Sequence, residues 1–551
     1  MSMQVTTITR AQNEAERPKF RVWALMFIVL STLYYLAGIH ASTGSSDGAT
    51  VVLEAHSLVG GNFMLRGWSL SLDSFWTVDA LIYAPIVLIL GIGRELLFLV
   101  ADFIAAGVAL VGVWLTSEGR KSVAIWPGGA VLAILIAIPS PYLASFLVQG
   151  PLHIGTTLWC LLAIILLRNC RFGWQWLLAV VLLAAGILGD FLTVALGILP
   201  VGIAGLLIAI RHRRFSKGAA PIAASGAACL LALVVRMIAV TIGTFGIRRA
   251  NPLATSPLRM LGNVGYGLKL VTELFGIGSG NGLSAGPIWL ELFRVVAFVG
   301  VVITLCVGIF AMVASVTKSR YATYQPTRRS TSESIDPHFV DNALILGTGG
   351  SACIFIGLAV NSSATYGRYL VPGIIFASIL TGRMAARTFE GLHHSVRHGR
   401  SPKMPSIAMA VIASVGAVSF IGFGAGVLQH GPPDPESELI SYLSSHHLTT
   451  GVGGYWTASL TTVDSGGHIL VRPVVERNGS LERYQRQSDA SWYTNQRFTF
   501  VVFDTQIPWG GVDAAIASST FGTPASTVDV GPYVVLTYPS GFSVSASIPP
   551  A

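Results

Sequence analysis

The chain has 551 residues, of which 52% are hydrophobic and only 11% are charged. A soluble domain carries about 25% charged residues, so this chain has too few polar side chains to cover a surface in water. The composition excludes a disordered chain and a nucleic-acid-binding protein, and five scattered cysteines without a CxxC pair exclude a disulfide scaffold. The remaining class is a membrane protein that crosses the bilayer several times.

A membrane-spanning helix needs about 20 mostly apolar residues. Eleven segments meet this requirement, and they are the predicted spans 21–40, 96–115, 123–139, 152–168, 174–190, 191–210, 220–243, 287–315, 341–360, 370–386 and 405–428. The apolar stretch 80–93 is too short to cross the bilayer comfortably. It therefore predicts a helix that lies at the membrane surface or dips into it.

The basic residues predict the orientation of these spans. If the N-terminal tail, residues 1–20, is cytoplasmic and 80–93 does not span, the cytoplasmic loops hold most of the 35 Lys and Arg residues. This distribution agrees with the positive-inside rule, whereas a span at 80–93 would invert every later loop. The predicted membrane domain is therefore 21–428, with outer-face loops at 41–95 and 244–286.

Eleven spans place residues 429–551 outside the cytoplasm, as a domain large enough to fold alone. A helical pattern, PPDPESELISYLSSHHL, opens this domain after a proline break. The strand-like runs that follow are HILVRPVVE, RFTFVVFDT, PYVVLTYP and FSVSASI. The predicted fold class is thus an all-α polytopic membrane protein with a C-terminal extracytoplasmic α/β or mostly-β domain.

Three acidic residues in the first outer loop are candidates for catalysis. Asp47 follows the first span, where a carboxylate is suited to act as a general base that removes a proton from a hydroxyl. Its structural alternative is the N-cap of the next helix. Asp79 directly precedes the surface helix and Asp73 stands beside Ser74, so a helix cap and a turn are their alternatives.

Asp190 closes the fifth predicted span on the same outer face as Asp47. The two carboxylates are the candidate ligands for a divalent cation, Mg²⁺ or Mn²⁺, although their wide separation in sequence makes the metal signal weak. The alternative for Asp190 is a helix cap at the tip of a tight hairpin.

Arg368 is the most informative cation, because it stands alone at the outer mouth of a span. Its guanidinium is suited to bind a phosphate with two parallel hydrogen bonds, and the alternative is snorkelling to the lipid headgroups. Arg248 and Arg249 form a second outer basic pair with the same two interpretations. Arg236 and Asp102 lie within spans and are expected to pair, since an unpaired charge there costs about 3 kcal/mol.

Two histidines and four aromatic residues complete the candidates. His56 and His153 are predicted to face outward and to form hydrogen bonds rather than bind metal, since neither has metal-ligand spacing. The aromatic residues of the C-terminal domain are expected to pack in its core, with stacking on sugar rings as the alternative. They are Tyr455, Trp456, Trp492 and Tyr493.

Taken together, these features resemble the GT-C superfamily of membrane glycosyltransferases, which includes protein O-mannosyltransferases and aminoarabinose transferases. The segment SSDGATVVLEAHSLVGGNFML is similar to the first part of the family's first loop and places Asp47 at the catalytic acidic position. The run TVDALIYAPIVLILGIGREL is similar to the second part and places Tyr83 in the tyrosine position. RYLVP, at 368–372, is similar to the family's Arg-Tyr-Leu-Leu-Pro motif.

The resemblance implies the transfer of a sugar from a polyprenyl-phosphate donor to a polysaccharide, lipid or protein acceptor. Arg368 and Tyr369 would contact the donor phosphate, helped by Arg248 or Arg249, and Asp47 would be the base. Tyr83, His56 and His153 would contact substrate. The sequence departs from the family in that Gly48 replaces a second acidic residue and Asp79-Ala80 replaces a Pro-Pro pair. These departures leave Asp73 and Asp79 open as the base.

The expected location is the cytoplasmic membrane of a bacterium, with the chemistry on its outer face. The main alternative is a transporter or flippase for a lipid-linked or small polar substrate. That class predicts charged residues deep in the spans and paired broken helices, and the sequence has few of the former and none of the latter. A third possibility is an envelope scaffold without catalytic activity.

Overall fold

The computed structural model describes thirteen parts of the chain. They are residues 20–41, 44–117, 128–137, 139–150, 152–248, 253–254, 256–278, 288–318, 337–358, 364–397, 423, 435–506 and 508–546. Of the predicted tail 1–20 and the predicted span 405–428, all but Phe20 and Phe423 lie outside these residues, as does Arg249.

The first part of the chain is helical up to Arg397. In chain order its helices are α1 Phe20–Ala41, α2 Ser46–Val59, α3 Leu81–Leu90, α4 Arg94–Ser117, α5 Pro141–Val148, α6 Ile154–Leu167, α7 Trp174–Gly189, α8 Leu199–His212, α9 Phe215–Ile242, α10 Pro257–Leu274, α11 Ile288–Lys318, α12 Pro337–Gly357 and α13 Val371–Arg397. Two further helical turns matter for the site: a π-helical turn, Trp76–Ala80, leads into α3, and a 3₁₀ turn, Ala364–Tyr369, precedes α13.

Six described helices are long and apolar enough to cross a membrane. They are Phe20–His40, Arg94–Ser117, Val194–His212, Phe215–Ile242, Glu291–Thr317 and His338–Gly357, which confirms helices at six of the predicted spans. A seventh span exists if the bent pair Gly128–Ile136 and Pro141–Val148 counts as one. This pair bends by 83° between Ile136 and Pro141, at the end of the predicted span 123–139, which stays a prediction. Pro139 and Pro141 explain the break, since proline disfavours a continuing helix.

Three other predicted spans differ from the expectation. Helices α6 and α7 have 14 and 16 residues, fewer than the length that crosses a bilayer without tilt or thinning. Helix α13 is long but not apolar enough, because it carries Arg383 and Arg387, both paired with Asp341 of α12. The structure therefore shows a membrane region with six or seven candidate spans, and the count of eleven stays a prediction.

The surface helix predicted at 80–93 is present as the π-helical turn and α3. Leu81, Leu88, Ile89 and Leu90 of this helix are exposed. An exposed row of large apolar side chains is suited to contact lipid. The helix is too short to span, and its position at the membrane surface stays a prediction.

The C-terminal part forms a mixed α/β domain. It contains α14 Pro435–Ser445, α15 Tyr455–Asp464 and α16 Ala514–Phe521. Its strands are β3 Thr450–Gly453, β4 Leu470–Arg477, β5 Ser480–Arg483, β6 Ser488–Asp489, β7 Phe498–Asp504, β8 Ser526–Val530 and β9 Tyr533–Phe542. Six of these strands form one sheet in the order β5-β4-β3-β7-β9-β8. The parallel core β4-β3-β7 confirms the α/β alternative rather than the mostly-β one.

The predicted first helix and three of the four predicted strands of this domain are present. The fourth, FSVSASI, is wrong as a separate strand, because pairing ends at Phe542 as the last residue of β9. Strand β3 was not predicted, since its sequence TGVG lacks the β-branched and aromatic residues that mark strands. Gly451 is needed there because a Cβ would collide with the ring of Phe500.

The C-terminal domain contacts the helical region through a small sheet and a helix pair, among other contacts of the described residues. Strand β1, Trp68–Leu70 of the first outer loop, pairs with β2, Gly246–Ile247 of the second outer loop, and with β6 of the C-terminal domain. Helix α15 packs on α2, and its Leu460 and Val463 belong to the hydrophobic core of the helical region. The site described next lies where α2, α15 and the 3₁₀ turn meet.

Candidate active site

Asp47 holds two parts of the chain together at the start of α2. Its Oδ2 accepts a hydrogen bond from Nη1 of Arg368 at 2.9 Å, and its Oδ1 accepts one from the hydroxyl of Tyr455 at 2.7 Å. Ser45 is the N-cap of α2, so the alternative in which Asp47 caps the helix is not what the structure shows. The side chain is buried, and both of its oxygens bind groups from distant elements.

Arg368 lies at the end of the 3₁₀ turn, directly before α13. Its Nη2 also donates to the hydroxyl of Tyr369 at 3.4 Å. Burial lowers the pKa of Arg368, but Tyr369 and the carboxylates of Asp47 and Asp73 outweigh burial and raise the pKa above its ordinary value. The guanidinium is therefore a permanent cation, with carboxylates close by.

His153 and Asp190 form a second, fully buried pair beside Arg368. His153 Nδ1 lies 2.8 Å from Asp190 Oδ2, which also accepts the hydroxyl of Thr156, and Asp190 Oδ1 accepts the amide of Leu192 at 2.9 Å. The ring of His153 lies 5.0 Å from the ring of Tyr369. His153 forms a hydrogen bond, as predicted, but it is only 1% exposed, so the bond is made inside the protein.

The two residues of this pair stabilise each other's charge. Burial lowers the pKa of His153, but the Asp190 carboxylate outweighs burial and raises it. Burial raises the pKa of Asp190, but His153, Thr156 and the Leu192 amide together lower it. The ring of His153 in this pair contacts Tyr369, and Asp190 is also the C-cap residue of α7, the position that the helix-cap alternative predicted.

Asp73 lies close enough to both ion pairs to interact with their charges. Its backbone forms a β-bridge with Asp190, so the segment is paired rather than a free turn. Burial and the nearby Asp190 raise the pKa of Asp73 to about 6, Asp47 adds to the rise, and His153 and Arg368 oppose it. One charged region therefore contains Asp47 and Asp73 of the first outer loop together with Arg368.

Asp79, Glu54 and Tyr83 lie deeper. Asp79 is inside the π-helical turn whose N-cap is Phe75, so it does not cap the surface helix. Neither carboxylate oxygen of Asp79 has a hydrogen-bond partner among the described residues, and the same is true of Oε2 of Glu54 and the hydroxyl of Tyr83. Burial, and then Asp190, raise the pKa of Asp79 to about 8. Asp79 is therefore mostly neutral at neutral pH and poorly suited to be the base.

Sequence reasoning missed Glu54 and the role of Tyr455. Glu54 lies seven residues after Asp47 on α2, a spacing that places both on the same face of a helix, and this was the available signal. Burial raises the pKa of Glu54 well above its usual range, and Asp79 adds to the effect. Tyr455 was considered only for packing or stacking on sugar. Nothing in its local sequence shows that it meets a residue 408 positions earlier.

The remaining predicted residues lie elsewhere. Arg248 joins the small sheet through its amide, which donates to Leu70 at 2.8 Å, and the described residues show no contact between it and Arg368. Arg236 donates to the carbonyl of Phe245 at 3.2 Å. The expected pair between Arg236 and Asp102 is wrong, because the Asp102 carboxylate has no hydrogen-bond partner within the described part of the chain. His56 is exposed near the other end of α2.

The proposed cation ligands do not fit a metal in this arrangement. Asp47 already binds Arg368 and Tyr455, and Asp190 binds His153, Thr156 and the amide of Leu192. Across the described ranges, no group of three or more His, Cys, Asp or Glu residues is placed to hold a metal ion. No step of the mechanism is therefore assigned to a metal.

The fold and the site define a multi-pass membrane protein with a buried acid–arginine centre beneath an α/β domain. Comparison with solved structures extends this description. The structure of ArnT from Cupriavidus metallidurans in the apo state matches with a TM-score of 0.52 and 11% identity, over 94% of this chain and 98% of that one. The structure of the same protein bound to undecaprenyl phosphate has a TM-score of 0.52 and 11% identity, over 96% and 100%.

The apo oligosaccharyltransferase of Archaeoglobus fulgidus is also similar, with a TM-score of 0.48 and 12% identity over 92% of this chain and 72% of that one. No family model matches the sequence, and no curated protein matches it. The chain thus has structural similarity over most of its length to the GT-C glycosyltransferases, as the sequence resemblance predicted. Among these, ArnT is matched over nearly the whole of both chains.

Proposed function

We propose that this protein transfers one sugar from a polyprenyl-phosphate donor to a hydroxyl group of an acceptor. The observation that carries the proposal is the ion pair between Asp47 and Arg368, which brings a carboxylate base and a phosphate-binding cation within 2.9 Å of each other. The fold supports the donor class, because the similar ArnT structure is bound to undecaprenyl phosphate. A donor with a lipid tail also accounts for a catalyst that is itself a membrane protein.

Arg368 is the group proposed to bind the donor phosphate. A guanidinium presents its N–H groups in a fixed fork that matches the oxygens of a phosphate. In the present structure Asp47 occupies part of that fork. The phosphodiester of the donor carries one negative charge shared by two free oxygens, so it can replace the Asp47 carboxylate on the same N–H groups. Tyr369, held between Arg368 and the ring of His153, fixes the direction of the fork.

When the donor phosphate replaces Asp47 on Arg368, the carboxylate base would become free while the donor is in place. Asp47 Oδ2 then has no partner and accepts the proton of the acceptor hydroxyl. The acceptor oxygen forms a bond to the anomeric carbon, the bond from that carbon to the phosphate oxygen breaks, and its electron pair leaves with polyprenyl phosphate. Arg368 stabilises the charge that develops on the leaving phosphate. Tyr455 keeps Asp47 in position through Oδ1.

The membrane arrangement belongs to the same proposal. Eleven spans with a cytoplasmic N-terminus would place the Asp47–Arg368 site and residues 429–551 on the outer face of a bacterial cytoplasmic membrane. The described helices provide six or seven of those spans. The acceptor is a polysaccharide, a lipid or a protein that reaches this face. Tyr83 and His56 remain proposed substrate contacts, one from the buried side of the first loop and one from its exposed side.

A reconstituted assay tests the proposal. Purified protein in liposomes receives undecaprenyl phosphate carrying a radiolabelled sugar, as separate mannose, arabinose, galactose, glucose and aminoarabinose donors, with an envelope extract as acceptor. Transfer of label with release of undecaprenyl phosphate supports the glycosyltransferase. Movement of intact donor across the bilayer without cleavage would support the flippase instead. Neither cleavage nor movement with any donor contradicts both activities.

A further inference from the structure

A second cavity lies at the other end of α2, between the first outer loop and the C-terminal domain. Its volume is about 310 Å³, at the lower limit of about 300 Å³ for pockets that hold small ligands. Six of its lining residues matter here: His56, Trp68, Arg472, Asp489, Ser491 and Trp492. They come from α2, β1, β4, β6 and the turn after β6, so the cavity exists only when the two domains are joined.

Two indole rings form the apolar part of this cavity. Trp68 is 2% exposed, and its ring centre lies 5.0 Å from that of Trp492 at an interplanar angle of 73°. The guanidinium of Arg472 lies over the ring of Trp492, 4.4 Å from the centroid. Trp68 is fixed by a hydrogen bond from Nε1 to the hydroxyl of Ser57 at 3.3 Å. Contacts within the protein thus hold both rings in place.

The polar part combines a cation with a carboxylate. The described residues provide no ion pair or hydrogen bond for the Arg472 guanidinium, which faces the cavity beside Asp489. Burial lowers the pKa of Arg472 to about 10, so it stays charged at neutral pH. Asp489 is buried, and its Oδ1 accepts the amide of Ser491 at 2.9 Å. His56 adds an exposed imidazole to the lining.

We propose that this cavity binds one monosaccharide unit of a carbohydrate acceptor, an inference that rests on the proposed function. A sugar ring has an apolar face of C–H groups and an edge of hydroxyls, and the Trp492 indole and the planar Arg472 and Asp489 groups match these two parts. A lipid chain would leave Arg472 and Asp489 unsatisfied. The mixed charge also suits neutral hydroxyls better than a phosphate.

The cavity is too far from Asp47 to hold the sugar unit of the acceptor that reacts, so its position suits a neighbouring sugar unit. Asp47 and His56 are nine residues apart on one helix, which corresponds to about 14 Å along its axis at the α-helical rise. A ligand that fills both places must extend over that distance. The acceptor is therefore an oligosaccharide or polysaccharide, held by one unit here while another unit reaches Asp47.

A glycan-binding experiment without donor tests this inference. Full-length protein in lipid nanodiscs is applied to immobilised oligomers of arabinose, mannose, galactose and glucose, from one to six units long. We expect binding to at least one series that strengthens with length. Ser491→Trp, which fills the cavity from its rim, and Arg472→Gln should each weaken it at least tenfold. Arg497→Gln, on an exposed arginine of the same domain, should change it less than twofold.

The outcomes separate this site from the proposed activity. Asp47→Asn should lose transfer but still bind glycans through the cavity, which lies about 14 Å along α2 from Asp47. Wild-type protein that binds none of the oligomers, or a Ser491→Trp variant that binds them equally well, overturns the inference. If glycans bind and Ser491→Trp abolishes binding, but no donor is turned over, the carbohydrate site stands and the transferase proposal falls. Thermal unfolding of each variant shows that lost binding is not lost folding.

Discussion

Asp47 and Arg368 are 321 positions apart in the chain, yet their side chains form a 2.9 Å ion pair. The same carboxylate binds Tyr455, which belongs to the C-terminal domain. Three separate parts of the chain therefore meet at one group: the first outer loop, the turn before α13, and α15. The hydrogen bonds of Asp47 therefore depend both on the docking of the C-terminal domain and on whether Arg368 binds another group.

Replacing the proposed base is the first prediction. Asp47→Asn keeps the size of the side chain but cannot accept the acceptor proton, so we expect kcat to fall by about 10²–10⁴. Affinity for undecaprenyl phosphate should be unchanged or higher, since Arg368 loses a competing carboxylate. Donor turnover and lipid binding are measured on the same preparation. Asp513→Asn, at the N-cap of α16, is the matched control. Full activity in Asp47→Asn removes Asp47 from the mechanism.

The second prediction concerns the phosphate-binding cation. Arg368→Lys keeps the charge but not the fork that reaches Asp47 and Tyr369 together. We expect the KM for donor to rise at least tenfold, and Arg368→Gln to be worse than Arg368→Lys. Arg248→Gln serves as the comparison, because the described contact of Arg248 is made by its backbone amide. An Arg248 variant that is impaired as strongly as Arg368→Lys would show that both arginines bind the phosphate.

The sequence predicted some residues of this site and missed others. Asp47 and Arg368 were found because each is a charged residue at an unusual place, and a family motif surrounds each one. Tyr455 was missed because its role depends on the docking of two domains, which local periodicity does not encode. The hydrogen bond of His153 was predicted, but the pattern GPLHIGT does not show that its partner is the buried carboxylate of Asp190.

In the fold, too, features with a strong local sequence signal were predicted, and features that depend on packing were not. Long apolar helices such as α4 and α9 were predicted because hydropathy over about 20 residues is a strong signal. The bend between 128–136 and 141–148 and the shortness of α6 depend on prolines and on packing against neighbours, which a hydropathy count ignores. In the C-terminal domain β4, β7 and β9 have β-branched runs, whereas β3 is glycine-rich. Its place in the middle of the sheet comes from its partners.

Docking of the C-terminal domain gives the third prediction. Tyr455→Phe removes the 2.7 Å hydrogen bond to Asp47, and hydrogen bonds to charged groups contribute about 1.5–3 kcal/mol. We expect the free energy of unfolding to fall by an amount of this order. A cycle with Asp47→Asn should show coupling between the two changes, because the amide oxygen of Asn can still accept this hydrogen bond but lacks the charge that strengthens it. Tyr442→Phe, in the same domain, should show no coupling with Asp47→Asn.

The charged pair beneath Tyr369 gives the fourth prediction. His153→Gln leaves the Asp190 carboxylate buried without its cation, and breaking a buried pair costs about 3 kcal/mol or more. Because the pKa of His153 is raised, its contribution to stability is complete below about pH 6.5 and is lost as the pH rises through the raised value. The difference in melting temperature between wild type and His153→Gln should therefore narrow at alkaline pH. An equal difference at all pH values would show that His153 is neutral in the folded protein.

Asp79 gives the last prediction, in which the pH dependence comes mainly from burial and not from an ion pair. Its pKa is raised to about 8, first by burial and then by Asp190, whereas an unfolded Asp titrates near pH 4. Between these two values the folded protein keeps a proton that the unfolded chain has lost. Stability therefore decreases as the pH rises through this interval, and it levels off only above the folded pKa.

Asp79→Asn replaces the neutral acid with a group that has no proton to lose. The variant should be more stable than the wild type at pH 8, and its melting temperature should decline less between pH 5 and pH 8. Because the pKa of Glu54 is also raised, part of the decline in melting temperature should remain in the variant. Asp513→Asn again provides the control, since Asp513 caps α16 from an exposed position. A variant whose melting temperature follows the wild-type curve would mean that Asp79 is ionised in the folded protein. In that case Asp79 would return as a candidate for the base.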